Sequence, residues 1–140
     1  MQDDEALGSP LSGAQRLQRR AAGVGFDWPD ARGPLAKVKE EIAELEDAAN
    51  QAAGKGKRER LAEEIGDLLF AVVNLARKLG IDPDHALARA NDKFQRRFEA
   101  LERLAQQRGL VMGRASLEQL DALWEETKAA EGGRGGNGRQ

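Results

Sequence analysis

The chain writes one eight-residue pattern twice, and that repeat limits what it can build. Val38-Lys-Glu-Glu-Ile-Ala-Glu-Leu45 and Leu61-Ala-Glu-Glu-Ile-Gly-Asp-Leu68 both read apolar, any, Glu, Glu, Ile, small, acid, Leu. Apolar residues three and four apart mark an amphipathic helix, because each residue advances about 100° around the axis. Val38, Ile42, Leu45 and Ala49 form one expected core stripe, and Leu61, Ile65, Leu68, Val72 and Leu75 form the other. Glu41 and Glu44 flank the first stripe, Glu64 and Asp67 the second. If the stripes pack together, four carboxylates converge beside the seam, while Glu40 and Glu63 stand further out toward solvent.

The rest of the chain is punctuated into helices. Leu11 to Ala22 carries a stripe of Leu11, Ala14, Leu17 and Ala21. A turn-rich loop, GVGFDWPDARGP, follows it, and Pro34 suits the first turn of a second helix to about Ala53. A third helix is expected from about Arg58 to Leu79, stopped by Gly80. Asp82 is placed to cap a fourth helix with Pro83 at its first position, and Ser116 with Gln119 resembles a capping box for a fifth helix through about Lys128. No stretch reads as a convincing strand; Leu-Val-Met at 110–112 is too short for a sheet. The expected class is all-α, a bundle of about five helices spanning residues 10–129. Residues 1–9 read as a flexible N-terminus and the glycine-rich 130–140 as a disordered tail.

Composition narrows the chemistry. With 140 residues, one domain is the prior, but only six residues are aromatic and a third are charged. Thin Ala/Leu helices of this kind finish their core by association, so a homodimer or larger homo-oligomer is expected. The net charge of −2 gives no general attraction to nucleic acid. There is no cysteine, which excludes disulfides and thiolate chemistry and fits a cytoplasmic location. The acidic N-terminus lacks a signal-peptide core, and no apolar run approaches the ~18 residues of a membrane span.

Four crowded, partly desolvated carboxylates repel, and a bound cation relieves that. Oxygen ligands without His or Cys favour Mg²⁺ or Mn²⁺, with Ca²⁺ less favoured. A single acidic helix is more often a solvated face. The repetition at an apolar boundary, and Gly66 inside the second copy, bring a metal site level with that reading. On the fourth helix Lys93 and Arg97 share a face beside Phe94 and Phe98, with Arg89 one turn earlier, a basic ridge suited to phosphate. Taken alone, that ridge reads better as a solvated face and Trp124 as a core residue. Phe26 and Trp28 read as structural plugs of the loop, and His85 as a surface residue.

Together, KVKEEIAE, EEIGDLLFAVVNLARKLG and ANDKFQRRFEALE resemble the MazG-type nucleoside triphosphate pyrophosphohydrolases, over roughly Leu11 to Lys128. The resemblance implies an all-α homodimer or higher assembly that cleaves nucleoside triphosphates to monophosphate and pyrophosphate with Mg²⁺. It assigns metal binding to Glu41, Glu44, Glu64 and Asp67. It assigns the nucleotide to Lys37, Glu40, Arg60, Glu63, Lys93 and Arg97, with Trp124 at the base. One copy of the motif set is present, most like the C-terminal unit of two-domain members. Glu40 or Glu63 is the candidate general base.

Three alternatives stand beside this reading. A narrower pyrophosphatase for dUTP or phosphoribosyl-ATP uses the same residues. A non-catalytic helical interaction protein needs no metal. A di-iron bundle needs Glu-x-x-His motifs, and the single histidine, His85, lies away from both acidic clusters.

Overall fold

The computed structural model describes residues 8–135, which form five α-helices and no strand. They are α1 (Pro10–Gly23), α2 (Arg32–Asn50), α3 (Lys57–Lys78), α4 (Pro83–Gln107) and α5 (Leu117–Gly135). The expected loose terminus and tail fall partly outside these residues, at 1–7 and 136–140.

Local chemistry sets most helix ends. Asp82 Oδ1 accepts from the backbone N–H of Asp84 (2.9 Å) and of His85 (3.3 Å), with Pro83 at the first helical position. Ser116 and Gln119 close the capping box in both directions, at 3.1 and 2.8 Å. Gly80, at φ +73°, lets the chain turn left-handed after α3, so that Ile81 N–H bonds Ala76 C=O at 2.8 Å. Two ends differ from the sequence reading. α2 stops at Asn50, where Lys57 Nζ donates to the free carbonyls of Ala49 and Gln51 (3.2 and 2.6 Å). α5 runs on to Gly135, and Glu131 in that extra stretch pairs with Arg97 of α4.

The chain divides into two compact units, residues 1–86 and 87–140. In the first, α3 packs against both α2 and α1. Its most buried apolar side chains are small: Ala48, Ala71 and Val73. This shifts the seam from the expected stripe. Ile42, Ile65 and Val72 are left 43%, 43% and 44% exposed, while Glu41, Leu45 and Ala48 face inward on α2. Small alanines take the buried positions, and the bulkier isoleucines are left half-exposed. On α3 the position of Gly66 is open: among the described residues, its own helix backbone and chain neighbours aside, nothing lies within 4 Å of where a Cβ would stand.

α1 is tied to α3 by Gln18 Nε2, which donates to Phe70 C=O at 3.0 Å. Ser9 Oγ and Ser12 Oγ both donate to the Asp84 carboxylate, fixing the start of α1 to the start of α4. The loop after α1 is anchored by Asp27, which pairs with Arg77 (2.5 Å) and Lys78 (3.2 Å). Those cations, Arg77 foremost, hold its carboxyl well below the usual range. Of the two expected plugs, Trp28 lays its ring over Gly33 yet stays 42% exposed, and Phe26 is 81% exposed and is no plug.

In the second unit Leu101, Ala105 and Leu123 form the core, with Leu104, Leu110, Met112, Leu120 and Trp124 packed around them. Leu110 and Met112 therefore serve as loop plugs. Arg108 grips Glu126 through two hydrogen bonds, at 2.5 and 2.7 Å.

The Trp28–Gly33 contact gives a direct check. A Cβ on residue 33 would lie 2.2 Å from Trp28 Cε3, so Gly33→Ala must push the ring away. We expect red-shifted tryptophan emission and a stability loss of about 1–3 kcal/mol, read from denaturant unfolding. Unchanged emission and stability would show that the ring does not pack there.

Candidate metal centre

Three carboxylates from two helices meet in the first unit. One oxygen each of Glu41 on α2 and of Glu64 and Asp67 on α3 lie within 4.8 Å of one another. The helical pattern explains the convergence. Glu64 and Asp67 are three residues apart and so share a face of α3. Glu41 sits on the inward face of α2, because the seam has rotated toward it. It is only 8% exposed, so it is part of the packed interface and not beside it.

The electrostatics are those of a site short of positive charge. Desolvation, then the charges of Glu44, Asp67 and Glu41, push the Glu64 carboxyl above its ordinary value, and Arg60 opposes them. Glu44 is exposed and falls outside the close group of three, although its charge is felt there. Lys37 supplies one cation, reaching Glu40 at 2.8 Å and Glu41 at 3.3 Å. Those two partners, Glu40 first, hold its ammonium above the ordinary lysine value.

The donor set suits a hard divalent ion. An octahedral Mg²⁺ with oxygens at about 2.1 Å spans about 4.2 Å between opposite ligands. The three oxygens lie within 4.8 Å of one another, a spacing of the same order. With oxygen donors alone, Mg²⁺, Mn²⁺ and Ca²⁺ fit better than softer metals.

The remaining expected residues have these settings. Glu63 is exposed and has no partner among the described residues. Glu40 is engaged by Lys37. Arg60 Nη1 donates to Gln51 Oε1 at 2.6 Å. Lys93, Arg97 and Trp124 belong to the second unit. The Trp124 ring packs against Phe94, centroids 5.4 Å apart, and borders the Leu101 core. His85 is exposed, as expected. Sequence reasoning passed over Glu131, whose carboxylate meets both Arg97 and Arg96, because that glycine-rich stretch was not read as helix.

The MazG nucleotide pyrophosphohydrolase domain model matches residues 33–101, which include all three clustered carboxylates. The chain is similar to the nucleoside triphosphate pyrophosphohydrolase/pyrophosphatase MazG of Thermotoga maritima, 46% identical over 121 residues. That alignment covers 86% of this chain and 45% of the relative. The nucleoside triphosphate pyrophosphohydrolase of Escherichia coli K12 gives the same identity and coverage. YabN of Bacillus subtilis is 48% identical over 71 residues, 51% of this chain and 14% of that protein. The chain thus spans less than half the length of the first two relatives. Through residues 33–101 it belongs to the MazG nucleotide pyrophosphohydrolase family.

Crowding makes a signed prediction. A carboxyl whose folded-state pKa is raised favours folding when protonated, and that advantage is lost as pH rises through the raised value. At neutral pH without metal, Glu64→Gln removes the repelling charge and should melt at or above the wild-type temperature. The difference should shrink as pH falls toward the ordinary glutamate range near 4.5. A clearly lower melting temperature for Glu64→Gln in EDTA at pH 7 would mean that Glu64 stabilises the fold.

Proposed function

We propose that this MazG-family chain hydrolyses ribo- and deoxyribonucleoside triphosphates to the monophosphate and pyrophosphate, using Mg²⁺, with Mn²⁺ as a substitute. The observation that carries the reading is the Glu41–Glu64–Asp67 cluster. The pyrophosphohydrolase names of the two longer relatives support it. The expected role is removal of unwanted nucleotides from the cellular pool, in the cytoplasm.

Glu41, Glu64 and Asp67 would hold the ion, with Glu44 as a fourth ligand. When bound, the ion supplies a Lewis acid for phosphate oxygens and lowers the pKa of a water. The protein supplies the rest. Of the two candidate bases we assign Glu63, exposed and without a described partner, to accept the water's proton. Glu40 already accepts from Lys37 and serves to hold that cation at the nucleotide border. Arg60 lines the same border. Lys93 and Arg97 bind phosphate oxygens and offset the charge that grows on the departing pyrophosphate. Trp124 offers the base the part of its ring not taken up by Phe94 and the core.

We also assign a homodimer or higher assembly. Ile65, Leu69 and Val72, four and three residues apart, form an exposed apolar face of α3. Contiguous faces of this kind on a helix are usually covered by a partner. A second copy is the partner proposed.

Two measurements check this. Product analysis with Mg²⁺ should show monophosphate and pyrophosphate and no early orthophosphate, and excess EDTA should abolish turnover. Full activity in EDTA, or orthophosphate as the first product, would contradict the assignment. Light scattering at micromolar concentration should give at least twice the 15.2 kDa chain mass, and a monomer would contradict the assembly.

A further inference from the structure

The second unit carries a contact that the proposed reaction has not yet used. Glu131, in the last stretch of α5, bonds Arg97 of α4 through a single donor, the guanidinium Nε. Among the described residues neither Nη of Arg97 has a partner. Glu131 also reaches Arg96 Nε at 3.8 Å, and Lys93 lies near enough to help Arg97 and Arg96 hold the Glu131 carboxyl below its ordinary value. One carboxylate therefore pairs with two arginines of α4 and feels the charge of Lys93. Arg97 is the most enclosed of the two arginines, its side chain 24% exposed against 64% for Arg96.

The atom used decides what this contact does. A guanidinium binds two phosphate oxygens in parallel through a pair of N–H groups. A carboxylate that took both Nη groups would block that mode. Glu131 takes Nε and leaves the Nη pair available, while fixing a side chain that otherwise loses about 2 kcal/mol of rotamer entropy on binding. We propose that Glu131 is a positioning residue, holding Arg97 in one orientation so that its Nη edge receives two oxygens of a polyphosphate. This rests on the proposed role of Arg97 as a phosphate ligand.

The sign separates positioning from simple charge. Removing an acid from a basic ridge raises the local positive potential, so charge alone predicts tighter anion binding. An inhibitory contact predicts the same. Positioning predicts weaker binding, and graded loss: Glu131→Gln keeps an oxygen acceptor for Nε, whereas Glu131→Ala removes it.

The test titrates inorganic tripolyphosphate calorimetrically in EDTA and measures steady-state kinetics with a nucleoside triphosphate in Mg²⁺. Circular dichroism confirms that each variant is folded. We expect Glu131→Ala to weaken tripolyphosphate binding and raise KM by about tenfold, and Glu131→Gln by about threefold, with kcat within about twofold of wild type. Glu131→Ala should add nothing to Arg97→Ala, because the first acts through the second. Equal or tighter binding by Glu131→Ala, additive losses in the double variant, or no tripolyphosphate binding by wild type would each overturn the proposal. Binding that follows the predicted order in a protein that hydrolyses no triphosphate would uphold Glu131 and remove the proposed activity instead.

Discussion

Like charges held at one point are the constraint around which the first unit is arranged. Glu41, Glu64 and Asp67 bring oxygens within 4.8 Å of one another where α2 meets α3. At that separation each ionised carboxylate raises the cost of ionising the next, and partial removal from water increases it. A fold selected for stability alone would place leucine or alanine where Glu41 is buried. Lys37 supplies part of the missing charge, but it is shared with Glu40 and is itself half-exposed. The remaining deficit is what a divalent cation supplies. The raised Glu64 pKa and the oxygen-only donor set follow from the same crowding.

The same helix pairing explains the thin core. Ala48 and Ala71 let α2 and α3 approach closely enough for acids on both helices to meet, and small side chains bury little apolar area. Larger apolar residues are left on the outside of α3, where Ile65, Leu69 and Val72 stand exposed on one face. A second copy seated there would complete what the single chain leaves uncovered. Closeness at the acidic cluster and incompleteness elsewhere are thus two results of one choice of small residues.

How much could be read in advance depended on how local the cause was. The Asp82 and Ser116 caps, the Gly80 stop and the five helices rest on interactions within a few residues, and the sequence displayed them. The carboxylate set was legible because helical spacing alone puts Glu64 and Asp67 on one face. The rotation of the seam was not. Whether Ile42 or Glu41 faces inward depends on the approach distance of two helices, which single-chain periodicity does not contain. Glu131 was missed for a related reason. Three glycines between Ala130 and the end of α5 argue against a helix locally, and the pairing with Arg97, 34 residues away, prevails. Phe26 shows the opposite error: an aromatic in a turn-rich loop looked like a plug, yet the loop is held by Asp27 with Arg77 and Lys78 and by Trp28 over Gly33.

The central claim is that the buried seam acid and its two neighbours exist for a cation. Calorimetric titration of Mn²⁺ into wild type and into Glu41→Gln, without nucleotide, tests it most directly. Glu41 is the ligand least able to be mistaken for a solvated surface charge, and glutamine preserves its shape. The account predicts saturable Mn²⁺ binding to the wild-type protein and loss of that binding in a folded Glu41→Gln variant. Equal Mn²⁺ affinity in both proteins would contradict it, because the carboxylate buried in the α2–α3 seam would then be no part of a metal site.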